Sequence, residues 1–347
     1  MNADPLFAAQ AIFPGLPSHP SCHASTLLAL PDGNLLVAFY AGSVEKAPDV
    51  AIFQSRYEAA RCTWTSPRVV VDYPGKSLGN PVLYIDSTGV LWLFYLVMQG
   101  HKWHQCTIHY VQSADGGLTW SKALDFRQEP GWTIRNNLIV LDGGEILFPL
   151  ADNVAGCSVF LSSTDGGQSW QTLGRITSQP RNEQPAVVQL ANNSLLAHMR
   201  TAGEGGQCWQ ARSLDCGRTW TPAEPGPFPN PNSALAMIRL ANGGLVQVYN
   251  HSHDRRFRTP LNVALSLDQG TSWPYSRPLE TLIGPFTYRT DRLDNWDNIE
   301  FSYPAIVQDR DGLIHITYTY CRRTIKHAIC NEAWLKLSGK QQIADSK

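Results

Sequence analysis

Apolar residues are grouped along this chain in short paired runs, each pair bent over a turn of glycine, asparagine or aspartate. STLLALPDGNLLVAF (25–39), PVLYIDSTGVLWLFY (81–95), LIVLDGGEILFPL (138–150), AVVQLANNSLLAHM (186–199), LAMIRLANGGLVQVY (235–249) and AIVQDRDGLIHITYTY (305–320) all have this form. Runs of this length and composition, closed by turn residues, are strand-turn-strand signals. The pattern therefore predicts six β-hairpins. A third apolar run such as CSVFLSS (157–163) follows between hairpins and leads into a second repeat.

That repeat is an octet: SADGGLTW (113–120), STDGGQSW (163–170), SLDCGRTW (213–220) and SLDQGTSW (266–273). Its aspartates, Asp115, Asp165, Asp215 and Asp268, recur at intervals of 50, 50 and 53 residues. Glycine permits positive φ in a tight turn, the aspartate accepts hydrogen bonds from its own turn, and the tryptophan packs between adjacent strands. Four near-identical copies exceed what one active site needs, so the octets are assigned to the scaffold. Units of four antiparallel strands at a period near 50 residues bury their faces only against their neighbours, which is the requirement of a propeller. The expected fold is all-β, a six-bladed β-propeller of four-stranded blades occupying residues 1–347 as one domain. TWTSPRVV (63–70) reads as the end of a degenerate first octet, and none follows TIKHAIC (324–330). The N-terminal LFAAQAIF (6–13) is then expected to supply the outer strand that the last blade lacks.

Composition narrows the function classes. Twenty-eight basic residues stand against 29 acidic ones, so no nucleic-acid partner and no anionic membrane surface is expected. The segment MNADPLFAAQAIFPG has neither the basic start nor the apolar core of an export signal, and a cytoplasmic location follows as an expectation. Eight scattered cysteines read as free thiols. HKWHQCTIH (101–109) invites a metal reading, but His104 and His109 fall on opposite faces of a strand, and no metal or cofactor is implied.

The pattern Ser-x-Asp-x-Gly-x-x-Trp resembles the Asp box, or BNR repeat, of the sialidase superfamily, and the resemblance spans nearly the whole chain. If the box turns occupy one rim, the positions just before each blade's first strand and just after its second lie on the opposite, central face. Those positions carry His23, Glu45 and Asp49; Asn80, His101 and His104; Arg135, Asn136 and Asp152; Glu183 and Arg200; Asn230, Asn232, Asn250, His251 and Arg258; and Glu300, Tyr303 and Arg322. A concave face lined by such groups is the candidate site.

In the family that is resembled, three arginines hold the substrate carboxylate, a tyrosine activated by a glutamate attacks the anomeric carbon, and an aspartate protonates the leaving group. NEQPAVVQLANNSLLAHMR (182–200) resembles the segment with the glutamate and one arginine, implying Glu183 and Arg200. RTPLNVALSLDQGTSW (258–273) implies Arg258 as another. Where the first arginine belongs, CHAST (22–26) has His23, and Arg135 is the candidate to reach in from blade three. In IEFSYPAIVQ (299–308) the simplest alignment puts Phe301 at the tyrosine position, with Tyr303 two residues on and on the same face of a strand. Tyr303 is thus either the nucleophile or a packed strand aromatic. Asp49 or Glu45 is the acid.

The resemblance implies a sialidase-like glycoside hydrolase acting on a terminal acidic or hydroxylated sugar of a glycan. The catalytic set is drawn from Glu183, Asp49, Glu45, Tyr303 and His23. Arg200, Arg258, Arg135, Asn136, Asn80, Asn232, Asn250, His251 and Arg322 are the candidate substrate ligands. Two alternatives stay open: a polysaccharide lyase in which His23 or Tyr303 takes the α-proton of a uronate, and a carbohydrate-binding propeller without chemistry. Trp103 and Trp296 are candidates to stack on a sugar ring. The insertion GPFTYRTDRLDNWDNIE (284–300) is read as a lid or specificity element.

Overall fold

Every predicted hairpin is observed as the two inner strands of a blade. The structure is a computed structural model, and it describes residues 4–203, 205–281 and 300–337. Blade one contains Ser21–Ala29, Leu35–Gly42 and Ala51–Glu58, with an outer edge split between Thr63–Trp64 and Arg68–Val71. Blade two contains Leu78–Ile85, Leu91–Met98, Cys106–Ser113 and Leu124–Arg127. Blade three begins with a broken strand, Trp132–Ile134 and Ile139–Val140, and continues through Ile146–Asp152, Cys157–Ser163 and Gln171–Ile176. Blade four is Asn182–Gln189, Leu195–Thr201, Gly206–Ser213 and Glu224–Asn230; blade five is Ala236–Arg239, Leu245–Asn250, Leu261–Ser266 and Tyr275–Glu280. Phe301–Gln308, Ile314–Tyr320 and Thr324–Cys330 form blade six, and Phe7–Ala11 completes it from the other end of the chain. The register runs from Phe7 opposite Cys330 to Ala11 opposite Lys326, so the expected N-terminal closure is present.

Inner strands are buried on both faces, which is why their sequences read as continuous apolar runs. Leu36, Ala38 and Tyr40 of blade one share a core cluster with Leu83, Leu91, Leu93 and Tyr95 of blade two. The contacts between blades thus supply much of the stability, at about 1.5–3 kcal/mol for each large side chain fully buried.

The octets fold as their chemistry predicts. Ser113 Oγ donates to Asp115 at 2.7 Å and accepts the Gly117 N–H at 2.8 Å, while Asp115 accepts the N–H groups of Leu118 and Thr119, each at 2.9 Å. The serine-to-aspartate bond, the glycine N–H to serine bond and the equivalent of the Thr119 N–H to aspartate bond recur in the other three copies. Two successive residues take positive φ, 73° and 87° at Gly116 and Gly117, a conformation that Cys216 and Gln269 adopt without glycine at 59° and 61°. One expectation is refined: each tryptophan packs against the preceding blade rather than merely between strands. Trp120 donates to Gln54 at 2.7 Å, Trp170 meets Phe126 at 5.6 Å, Trp220 meets Phe160 at 4.6 Å and Trp273 meets Phe228 at 5.0 Å between ring centroids. All eight cysteines are free thiols. No helix among the described residues is long and apolar enough to cross a membrane.

Candidate active site

The site is made by a local fault in the inner strands. At the axial start of blades one, two, four and six the ladder slips, between His23 and Thr26, Gly79 and Val82, Glu183 and Ala186, and Ser302 and Ala305. The bulged residues Ala24, Asn80, Gln184 and Tyr303 have φ of 53°, 40°, 54° and 53°. In three of these blades the next residue is proline, Pro81, Pro185 or Pro304, which has no N–H to give the ladder. Left-handed backbone costs a non-glycine residue roughly 1–2 kcal/mol, and such strain gathers at functional sites. Its effect here is to turn Tyr303 to the axis. Phe301, which follows the ordinary strand alternation, stays in the core and stacks on Tyr320 at 5.0 Å.

Five of the six blades meet around the Tyr303 ring. Its hydroxyl oxygen accepts a hydrogen bond from Arg200 Nη1 at 2.8 Å, and its ring centroid lies 4.1 Å from that of His23. The guanidinium carbons of Arg135, Arg200 and Arg258 are 5.3, 5.9 and 5.4 Å from the same centroid. Arg200 also donates to Asn232 Oδ1 at 2.7 Å and to Gln184 Oε1 at 3.0 Å, and Glu183 lies 3.7 Å from its Nε. Arg258 donates to Glu300 at 3.4 Å and to the Asn232 carbonyl at 3.1 Å. Glu300 further accepts from Arg322 Nε at 2.5 Å and Ser302 Oγ at 3.1 Å, and Arg322 pairs through Nη1 with Glu45.

Four guanidiniums (Arg135, Arg200, Arg258, Arg322) thus face three carboxylates (Glu45, Glu183, Glu300), which leaves one positive charge in excess. Burial alone would raise the Tyr303 phenol, but Arg200 and Arg258 outweigh it and hold the phenol below its ordinary value of 10.0. Burial likewise opposes the charge on Glu300, and Arg322 and Arg258 overcome it and keep that carboxyl below 4.5. For His23 burial and the surrounding arginines act together, and the imidazole is pushed well below 6.5 and is neutral near pH 7.

The remaining predicted residues fall in different places. His23 is in the cluster but only 1 % exposed, hydrogen-bonded at Nδ1 to Thr319 Oγ1 at 2.9 Å and 3.7 Å from Glu300, so it is a wall behind Tyr303. Arg135 is buried beneath the ring and bonded to the backbone carbonyls of Ser25 and Pro304. Asn136 and Asn250 staple neighbouring blades, donating to Gln184 and Pro185 carbonyls at 3.0 Å and to the Phe301 carbonyl at 2.8 Å. Asn80 is buried at its bulge, and His251 bonds Tyr249 at 3.1 Å within blade five. Asp49 stands exposed in the loop after blade one's second strand, where Ser43 donates to it through N–H at 3.0 Å and Oγ at 2.9 Å. Trp103 packs over Gly79 with Lys46 Nζ 5.6 Å from its ring centroid. Trp296 and the insertion read as a lid lie outside the described residues, Glu300 excepted. Glu300, which lies on the predicted face, and Gln184, which the strand-end count does not reach, join the cluster through Arg322 and Arg200. The proline after Gln184, matching those after Asn80 and Tyr303, is the signal that points to it.

Glu300 binds two arginines in a buried setting, so its loss leaves buried positive charge without a partner. Glu300→Gln is expected to lower stability by about 3 kcal/mol, read as the shift in urea midpoint at pH 7. Glu45→Gln, at a partly exposed position where Arg322 keeps Glu300, should cost under about 1 kcal/mol.

Residues 33–316 match the model of a family described as BNR repeat-like domain. A comparison with curated protein sequences finds no match. Among solved structures, a Hadza microbial sialidase is similar at TM-score 0.75 and 20% identity, over 92% of this chain and 68% of that one. A leech intramolecular trans-sialidase, solved with 2,7-anhydro-Neu5Ac, has TM-score 0.75 and 14% identity over 94% and 71% of the two chains. An α-L-arabinanase from Penicillium chrysogenum, solved with arabinobiose, has TM-score 0.67 and 16% identity over 94% and 98%. These likenesses are of fold, the sialidase-like propeller.

Proposed function

We propose, from the premise that this chain belongs to the BNR repeat-like domain family, that it is a sialidase-like glycoside hydrolase cleaving a terminal acidic sugar from a glycan. The observation that carries the reading is the Tyr303 hydroxyl, which accepts the Arg200 hydrogen bond at 2.8 Å among guanidiniums that favour its ionised form. An anionic sugar repels an attacking carboxylate, whereas a phenol reaches the anomeric carbon as a neutral group and becomes a good nucleophile as its proton leaves. The N–H groups of Arg200, Arg258 and Arg322 suit the substrate's carboxylate.

In this mechanism Glu183, at the other edge of Arg200, takes the phenol proton through one bridging water. Tyr303 Oη bonds to the anomeric carbon as the bond to the leaving oxygen breaks, and Asp49 protonates that oxygen. Of the two acid candidates Glu45 is committed to Arg322, while Asp49 has hydrogen bonds only from Ser43 among the described residues. Water then attacks the anomeric carbon, Asp49 takes its proton, and Tyr303 leaves as phenolate. His23, buried and neutral, supports the ring. An ionisable phenol also suits a base that takes the α-proton of a uronate, so elimination is the second reading.

The test is turnover of a fluorogenic α-sialoside, beside a panel of aryl glycosides and uronate polymers, by the wild type and Glu183→Gln. The hydrolase reading expects sialoside cleavage that falls by about 10²–10⁴-fold in the variant. Activity near wild type in Glu183→Gln would remove that residue from the mechanism. Ultraviolet absorbance from an unsaturated uronide, with no sialoside cleaved, would select elimination.

A further inference from the structure

We propose that Arg135 is a positioning residue for Tyr303: from beneath the ring it pins the two bulges that carry His23 and Tyr303, and it adds a buried countercharge to those that Arg200 and Arg258 present to the Tyr303 phenolate. The inference rests on the reading of Tyr303 as the reacting group. Arg135 occupies the break between Trp132–Ile134 and Ile139–Val140, where blade three's inner strand leaves its ladder. Its side chain crosses the axis. Nη1 donates to the Ser25 carbonyl at 3.2 Å and Nη2 to the Pro304 carbonyl at 2.8 Å. Ser25 directly follows the bulged Ala24 of blade one, and Pro304 directly follows Tyr303. One planar fork therefore fixes the two backbone segments that press His23 and Tyr303 together, a task that needs separate donors at set angles.

The charge on this fork is unusual in its surroundings. Arg200, Arg258 and Arg322 each have a carboxylate within 3.7 Å or less. Arg135 is 2 % exposed, its Nε has no hydrogen-bond partner, and among the described residues no carboxylate pairs with it. A cavity of about 340 Å³ on its far side, along the axis toward the box-bearing rim, is walled mainly by apolar groups such as Ala186, Met237 and Ile306 and offers it no anion. A buried cation without an ion pair is costly, and the group placed to relieve that cost is the Tyr303 phenol once ionised, whose ring centroid is 5.3 Å from the guanidinium carbon. In agreement, burial draws the Arg135 guanidinium down to about 10, and Tyr303 is first among the groups that oppose the change. Ionising Tyr303 and keeping Arg135 charged then favour each other, which prepares the phenol from the side that no substrate reaches.

The experiment follows Tyr303 itself. Chain carrying ζ-¹³C tyrosine is titrated by NMR, with Tyr303→Phe assigning the signal, in the wild type, Arg135→Lys and Arg135→Gln. The expected result is an upward move of the Tyr303 titration by about one pH unit or more, a tenfold change in ionisation constant, in Arg135→Gln, and a smaller move in Arg135→Lys, which keeps the charge. A folded Arg135→Gln with the titration unmoved overturns the proposal. Wild-type chain gives a test that no variant can spoil by misfolding: the ¹⁵N signals of the Arg135 guanidinium should shift over the pH range in which Tyr303 ionises, and their constancy would overturn it too. Neither readout uses turnover. If they come out as expected while no glycoside is cleaved, the hydrolase reading fails and the Arg135–Tyr303 coupling stands.

Discussion

Tyr303→Phe is expected to lower kcat on a cleaved sialoside by about 10³-fold or more while leaving KM within a few-fold. The asymmetry follows from the geometry. The substitution deletes one oxygen and with it the bond to the anomeric carbon, but Arg200 keeps Gln184 and Asn232 as acceptors, and Arg258 and Arg322 keep Glu300. The anion clamp is therefore retained. The structural cost is one hydrogen bond, about 1 kcal/mol, so the variant folds and its thermal midpoint reports that directly. Rapid-quench kinetics on wild type and variant, with mass spectrometry for a sugar attached to Tyr303, measures the effect. Near-normal kcat in the variant would assign the nucleophile elsewhere.

Stability is expected to fall steeply as pH drops below 6.5. Burial holds His327 down to about 3 and His198 down to about 4, and His23 lies well below 6.5 from burial and its arginine neighbours. His327 has a structural reason to refuse a proton. The Trp64 indole, which can only donate, gives its N–H to His327 Nδ1 at 3.2 Å, so His327 carries its proton on Nε2 and donates to His315 Nδ1 at 3.0 Å. His315 in turn donates from Nε2 to Asp309 at 2.9 Å. A second proton on His327 would set N–H against N–H. Between pH 6.5 and about 4 the unfolded chain binds protons that the folded chain does not, so the sign is loss of stability with falling pH. Each such histidine contributes roughly 1.4 kcal/mol per pH unit, and three contribute roughly 4. Urea unfolding at pH 7, 6 and 5 measures this slope, and a flat profile would mean that these imidazoles titrate normally.

What the sequence discloses follows the reach of its signals. The hairpins, the octet turns and the closure by residues 7–11 depend on local pattern and on a repeat, and both survive in one dimension. Glu183, Arg200, Arg258 and Arg322 are reached by counting from strand ends, and the structure brings them together. Strand alternation fails at Tyr303 because it assumes an unbroken ladder, and the bulge inserts a residue there. The residue-proline pairs at Asn80, Gln184 and Tyr303, each at the same place in a blade, were the available sign. The depth of Arg135 is not legible in the same way, since nothing in its neighbours reveals that a side chain from blade three ends against carbonyls of blades one and six. Its partners are distant in sequence and are found only in three dimensions.

The sheet that joins Phe7–Ala11 to Thr324–Cys330 imposes an order in time. Leu6 and Asn331, hydrogen-bonded beside that seam, are 325 residues apart. A ribosome releases the first strand long before its partner exists, so five blades can form in sequence while the opening segment waits unpaired. The ring is then sealed by contacts of very high sequence separation, the kind that form slowly and leave a sticky edge in the interval. A chain reordered so that Phe7–Ala11 follows Thr324–Cys330 in sequence, and opened at an exposed turn between blades, would carry no such delay.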